Sequence, residues 1–168
     1  MSSRVFDADG AEISFPLDNE LEYVCEIGGY VDETLITLSV HSEHLDRDEV
    51  TTLLGVQPTK AWNPGERHPI GKTGRTRVTD WGKWLLQGDH DNNPVEPKIL
   101  HLLQRCTPDF NAWHILTSKY DVWLTIVGYF ENWNRELDLS PEILRLLAER
   151  QLMLKIDVYF TDDEKAPI

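Results

Sequence analysis

The chain has 168 residues, 40 % of them hydrophobic, enough for one domain with one sizeable core and too few for two. Its net charge of −13 opposes general binding to nucleic-acid backbones, and its longest apolar runs, such as Val122-Trp123-Leu124, fall far short of the ~20 residues that span a bilayer. No apolar stretch follows Arg4 at the N-terminus, so a secretory signal is not expected and the chain is read as cytoplasmic.

The charge is unevenly placed. Nine acids (Asp7, Asp9, Glu12, Asp18, Glu20, Glu22, Glu26, Asp32 and Glu33) face one base, Arg4, in the first 33 residues. Between Lys60 and Lys83 the balance inverts, with Lys60, Arg67, Lys72, Arg75, Arg77 and Lys83 against Glu66 and Asp80. Cys25 and Cys106 are far apart, and neither has a second cysteine or a histidine at ligand spacing, so both are expected as free thiols.

In chain order, Asp9-Gly10 predicts a hairpin turn between Val5-Phe6 and Ile13-Ser14-Phe15, and the alternation of Leu21, Tyr23, Cys25 and Ile27 predicts a strand. Ile36, Leu38 and Val40 alternate with Thr37 and Ser39 in a second strand, Thr34 to Val40. Asp46 caps a helix with Glu49 at its third position and Val50, Leu53 and Leu54 as its apolar stripe, and Gly55 stops it. Pro58 to Val78 holds six prolines and glycines, which predicts a long excursion with at most a short strand near Ala61-Trp62. A strand is expected from Trp81 to Gln87 and a polar loop from Asp89 to Pro97. Helices are then expected through Ile99, Leu102 and Leu103 and through Phe110, Trp113 and Leu116. Val122 to Phe130 reads as a strand, Ser140-Pro141 as a helix start, Leu152 to Phe160 as the last strand, and Thr161 to Ile168 as a tail.

The two capped helix starts, Leu45-Asp46-Arg47-Asp48 and Leu139-Ser140-Pro141-Glu142, each follow a strand. Two βαβ-type units predict an α+β fold, a ferredoxin-like sandwich with an antiparallel or mixed sheet and helices on one face. The domain organisation expected is an acidic extension over residues 1–33, a core over 34–160 and a tail over 161–168.

Several pieces occur in an order that resembles the mainly bacterial domain-of-unknown-function family 4279. They are Leu35 to Val40, Glu49 to Pro58, Trp62-Asn63-Pro64-Gly65-Glu66, the strand beginning at Trp81, and Leu139-Ser140-Pro141-Glu142 through Lys155 to Tyr159. The resemblance implies a small α+β domain and carries over no catalytic or binding residues.

Motifs for chemistry are incomplete. Five residues separate Gly65 from Gly71-Lys72-Thr73, where a phosphate loop needs four between its first glycine and Gly-Lys. His41-Ser42-Glu43-His44 lacks zincin spacing and a third ligand, and no Gly-x-Ser-x-Gly elbow or Cys–His pair on one helix face is present. No metal or cofactor is therefore expected, and a binding role is expected over catalysis. One candidate is an acidic face centred on the N-terminal segment that engages a basic protein partner, as an immunity protein does. The alternative is a sensor of small anionic ligands built from Trp62, Glu66, Arg75, Arg77, Trp81 and Trp84 around the basic loop. The bland reading of that loop is that its tryptophans pin it to the core.

Overall fold

The computed structural model describes residues 29, 31, 33–71, 74–130 and 135–160. The expected N-terminal hairpin, the strand from Leu21 to Ile27, Cys25, Lys72 and the C-terminal tail lie outside them.

The first strand, β1 (Glu33–Ser42), puts Ile36, Leu38 and Val40 on one face, all fully buried. It leads into helix α1 (Arg47–Leu54), whose N-cap Asp46 accepts hydrogen bonds from the Asp48 and Glu49 backbone amides. The expected capping box is only half closed. Glu49 turns away from the cap and takes Lys119 and the Tyr120 hydroxyl instead, tying α1 to the end of a later helix. Gly55 ends α1 at φ 68°, a left-handed conformation that costs glycine nothing.

Three short strands follow, β2 (Lys60–Trp62), β3 (Arg67–Pro69) and β4 (Thr76–Val78), before the long β5 (Gly82–Asp91). β2 pairs with β5, whereas β3 and β4 pair only with each other as a separate hairpin that the sequence reading missed. β5 also runs further than expected, taking in His90 and Asp91.

Helix α2 (Val95–Gln104) begins with Pro94 at its N-cap and holds Pro97 in its first turn, where a missing N–H leaves no bond unmade. Its Lys98 is buried, and the ammonium donates to the Thr34 carbonyl (2.7 Å), Thr34 Oγ1 (2.9 Å) and the Asp91 carbonyl (2.6 Å), beside the Asp91 carboxylate. Helix α3 (Phe110–Lys119) is capped by Asp109 and anchored by Trp113, whose indole N–H donates to Thr107 O. Strand β6 (Asp121–Phe130) follows, then helix α4 (Pro141–Glu149), with Ser140 as N-cap and proline in its first turn as expected, then strand β7 (Met153–Phe160). None of these helices is long and apolar enough to cross a membrane.

The main sheet has the order β2-β5-β1-β6-β7, antiparallel throughout except for the parallel β6–β7 pair. The strand β1, helix α1 and strand β2 form one βαβ unit. The second is β5, the α2–α3 pair and β6, giving the ferredoxin-like order β6-β1-β5-β2. The unit read from sequence as the second, β6-α4-β7, is instead an appended crossover that adds a fifth strand beside β6.

In register, Leu38 lies between Leu86 and Leu124, and Val40 between Trp84 and Val122. These residues share the face on which the helices pack, joined there by Val50, Leu54, Ile99, Leu102, Trp113, Leu116, Ile143 and Leu147 in one core. Each such aliphatic side chain removed from water contributes about 1.5–3 kcal/mol. The opposite face of the sheet carries no helix among the described residues.

Candidate functional site

The segment Asn63-Pro64-Gly65-Glu66 is a clamp on the start of α1. Asn63 Oδ1 accepts from the Arg47 amide (2.9 Å), and Glu66 Oε2 accepts from Arg47 Nη1 (3.0 Å) and from the Asn63 amide (3.1 Å). Gly65 takes φ 77°, and its amide donates to Thr79 O, closing the clamp onto the strand that returns. Glu66 is thus engaged in holding the loop.

Trp62 lies on the helix-free face of β2. Its indole N–H donates to Trp81 O, and the His68 imidazole stacks on it with ring centroids 4.1 Å apart and planes 9° from parallel. That stack, with His68 buried, folds the β3–β4 hairpin back against the sheet. The cations near the indole are Lys60 and Lys83, each ammonium 5.9 Å from the ring centroid. Arg77 stands opposite His68 in the hairpin and adds its charge beside Lys83, while the Arg75 carbonyl accepts from Ile70 N to close the hairpin end. Burial, then the Lys60 and Arg77 charges, lower the Lys83 ammonium below the usual lysine range.

The other two candidate tryptophans go elsewhere. Trp84 belongs to the core, fully buried on the helix side with its indole N–H on Thr51 Oγ1 (3.0 Å), so it cannot touch a surface ligand. Trp81 is exposed and lines a cavity of about 430 Å³ with Ser42, His44, Lys119, Tyr120 and Asp121.

The sheet extends the cluster in the other direction. Lys83 is paired with His41 in β1, as Trp62 is with Lys83. The His41 ring lies 4.4 Å from Trp123 of β6, and the Lys155 ammonium of β7 sits 3.3 Å above the centroid of that Trp123 ring. A band of Trp62, Lys83, His41, Trp123 and Lys155 therefore crosses all five strands on one face. It steps diagonally from His41 to Trp123 and from Trp123 to Lys155, and at the usual strand spacing it spans about 19 Å across the strands. Among the described residues, Lys60, Arg77, Lys83 and Lys155 have no carboxylate within ion-pair distance. Burial, with Lys83 and Lys155 adding to it, lowers the His41 pKa to about 4, so the ring is neutral at pH 7.

The sequence pointed to Trp62 in this band, to Arg77 beside it and to Lys60 and Lys83 as part of the basic stretch, and it did not join His41, Trp123 and Lys155 to them as one site. Only the period-two alternation within each strand was available to find them, and alternation does not give register. His41 was weighed as a metal ligand. Among the described residues no group of three His, Cys, Asp or Glu is placed to hold a metal ion. Cys106 is buried, and burial pushes its thiol up to about 11, which removes it as a thiolate at pH 7. The acidic face expected to bind a basic partner is centred on residues 1–33, of which 1–28, 30 and 32 lie outside the described residues.

A larger cavity of about 750 Å³ opens at the far end of the sheet, between Val31, Thr34, Asn93, Val95, Glu136 and Leu139. Its position separates it from the band.

No curated protein and no solved structure matches the chain. The sequence profile described as "Domain of unknown function (DUF4279)" matches residues 32–161, the whole stretch from β1 to β7, and the chain belongs to that family.

Proposed function

We propose that the protein is a binding module whose helix-free sheet face engages an acidic segment of a protein partner. The observation that carries this reading is the band itself: Trp62, Lys83 and His41 in register, then Trp123 and Lys155 each one diagonal step further, its lysines without a carboxylate within ion-pair distance among the described residues. Cations gathered on an apolar, aromatic floor repel one another until an anion arrives, and aromatic rings supply contact area at little entropic cost. The band crosses the five strands of the open sheet, a width of about six extended residues. That geometry favours a chain laid across it over a small molecule, which takes a concave site. A protein of net charge −13 repels the long phosphate backbone of a nucleic acid, while a short acidic peptide reaches the band with less opposition.

Tryptophan fluorescence gives the test, since Trp62 and Trp123 are both in the band. A glutamate-rich hexapeptide titrated into the protein at low salt should change the emission saturably, with the change weakened as salt is raised. Lys83→Gln together with Lys155→Gln should remove the response while the far-ultraviolet circular dichroism is unchanged. A response that survives the double variant, or saturable binding by an oligonucleotide and none by the peptide, would count against the reading.

A further inference from the structure

Strand β7 stands at the edge of the sheet, next to β6 only, among the described residues. An edge strand is usually blunted by inward charges, proline, bulges or a covering element, because its free N–H and C=O groups are a template for another chain. This one runs eight residues, Met153-Leu154-Lys155-Ile156-Asp157-Val158-Tyr159-Phe160, with no proline. Met153, Ile156, Val158, Tyr159 and Phe160 are between 49 and 62 % exposed. Such a run of exposed apolar side chains on a free edge is the mark of an interface.

The strand is complementary to itself. If two copies meet antiparallel with Ile156 on the symmetry axis, Lys155 of each stands opposite Asp157 of the other, on the helix-free side. Leu154 then meets Val158 and Ile156 meets Ile156 on the helix side, and Met153 meets Tyr159. Each charge finds its opposite and each apolar residue an apolar partner. A shift of two residues, which keeps the faces matched, would lose this pattern by setting Lys155 against Lys155 or Asp157 against Asp157. We propose that β7 is the interface of a two-fold homodimer, pairing edge to edge in this register to make one ten-stranded sheet. The pairing is isologous, so it closes at two copies and leaves no further free edge of this kind. Asp157 has no ion pair in the single chain among the described residues. Lys155 rests over Trp123 in the single chain, and its four-carbon stem lets the ammonium swing to a carboxylate whose Cβ is about 5 Å from its own in a direct cross-strand pair, so that in the dimer the band keeps Lys83, with Lys60 and Arg77 beside it, as its uncompensated cations. The two-fold axis is normal to the sheet, so both helix-free faces look the same way.

Light scattering on the full chain after size-exclusion chromatography, over about 1 to 200 µM, should show a monomer–dimer equilibrium, as a small interface implies. Asp157→Lys alone sets lysine against Lys155 in both cross-pairs, and Lys155→Glu alone sets glutamate against Asp157. Each variant should weaken dimerisation roughly tenfold or more. Mixing the two variants should restore the dimer as a heterodimer, because the introduced lysine at 157 then faces the introduced glutamate at 155. Restoration on mixing also shows that both variants are folded. A chain that stays monomeric throughout the range would overturn the proposal. So would two variants that dimerise as well as the parent, or a β7 whose amides resist hydrogen exchange equally at dilutions where the protein is monomeric, since the edge would then be covered by its own chain.

Discussion

The imidazole of His41 rests against the indole of Trp123, ring centroids 4.4 Å apart and planes tilted by 44°, between the ammonium groups of Lys83 and Lys155. Partial burial and the two lysines hold the ring neutral down to about pH 4. In the unfolded chain it takes up a proton below about 6.5. The unfolded state therefore binds the extra proton between those values, and stability falls as pH drops from about 6.5 to about 4. After allowance for solvent on the exposed side of the ring, the loss should be about 1 to 2 kcal/mol. Urea melts of the parent and of His41→Gln across this window should show a steeper slope in the parent than in the variant; equal slopes would refute the assignment.

Lys98 joins α2 to the start of β1 and the end of β5. Replacement by Met keeps the stem but leaves the Thr34 and Asp91 carbonyls without their donor. The expected cost is about 2 to 4 kcal/mol, for two or three polar groups stripped of partners. The Lys98 ammonium, followed by the Asn93 amide, holds the Asp91 carboxyl below the usual carboxylate range. A depressed carboxyl stabilises the fold above its unfolded pKa and loses that contribution as pH falls through the folded one, so the penalty of Lys98→Met should shrink in acid. Chemical denaturation at pH 7 and pH 3 checks both statements.

Gly82 begins β5 under the clamp. A Cβ there would stand 2.7 Å from Leu45 Cβ and 2.8 Å from Pro64 Cδ, neither at the end of a flexible chain. Gly82→Ala should cost about 1 to 3 kcal/mol through overpacking. Gly65→Ala meets nothing within 4 Å but must adopt φ 77°, and should cost about 1 to 2 kcal/mol through backbone strain alone. Revertants should tell the two apart. Pro64→Ala, which removes the Cδ in the way, should recover part of the loss in the Gly82 variant and none in the Gly65 variant, as thermal melts of the double variants would show.

What could be read in the sequence depended on whether the signal was local. Asp46, Gly55, Ser140 and Pro141 mark helix ends by chemistry confined to one turn, and all four stand where expected. Pro97 misled because a breaker in mid-helix is harmless in the first turn, so α2 starts earlier than the prolines suggested. The β3–β4 hairpin has three-residue strands around Gly71 and Gly74, too short for a period to show. Trp84, within the strand expected from Trp81 to Gln87, reads as a site residue beside the basic loop because Leu85 and Leu86 next to it blur the alternation that would put it on the helix face. The band was least legible, being assembled from five strands by register. Lys155 and Trp62, at its two ends, are 93 positions apart in the chain.

The band as a binding surface is tested most directly by an amide and indole NMR titration of the full chain with a glutamate-rich hexapeptide at low salt. The account predicts saturable shifts in the side-chain signals of Trp62 and Trp123 and in the amides of His41, Lys83 and Lys155. Those of Trp84 and Trp113, on the other side of the sheet, should move little. Shifts gathered instead around the cavity between Thr34, Glu136 and Leu139, or no saturable shift in the band, would contradict it.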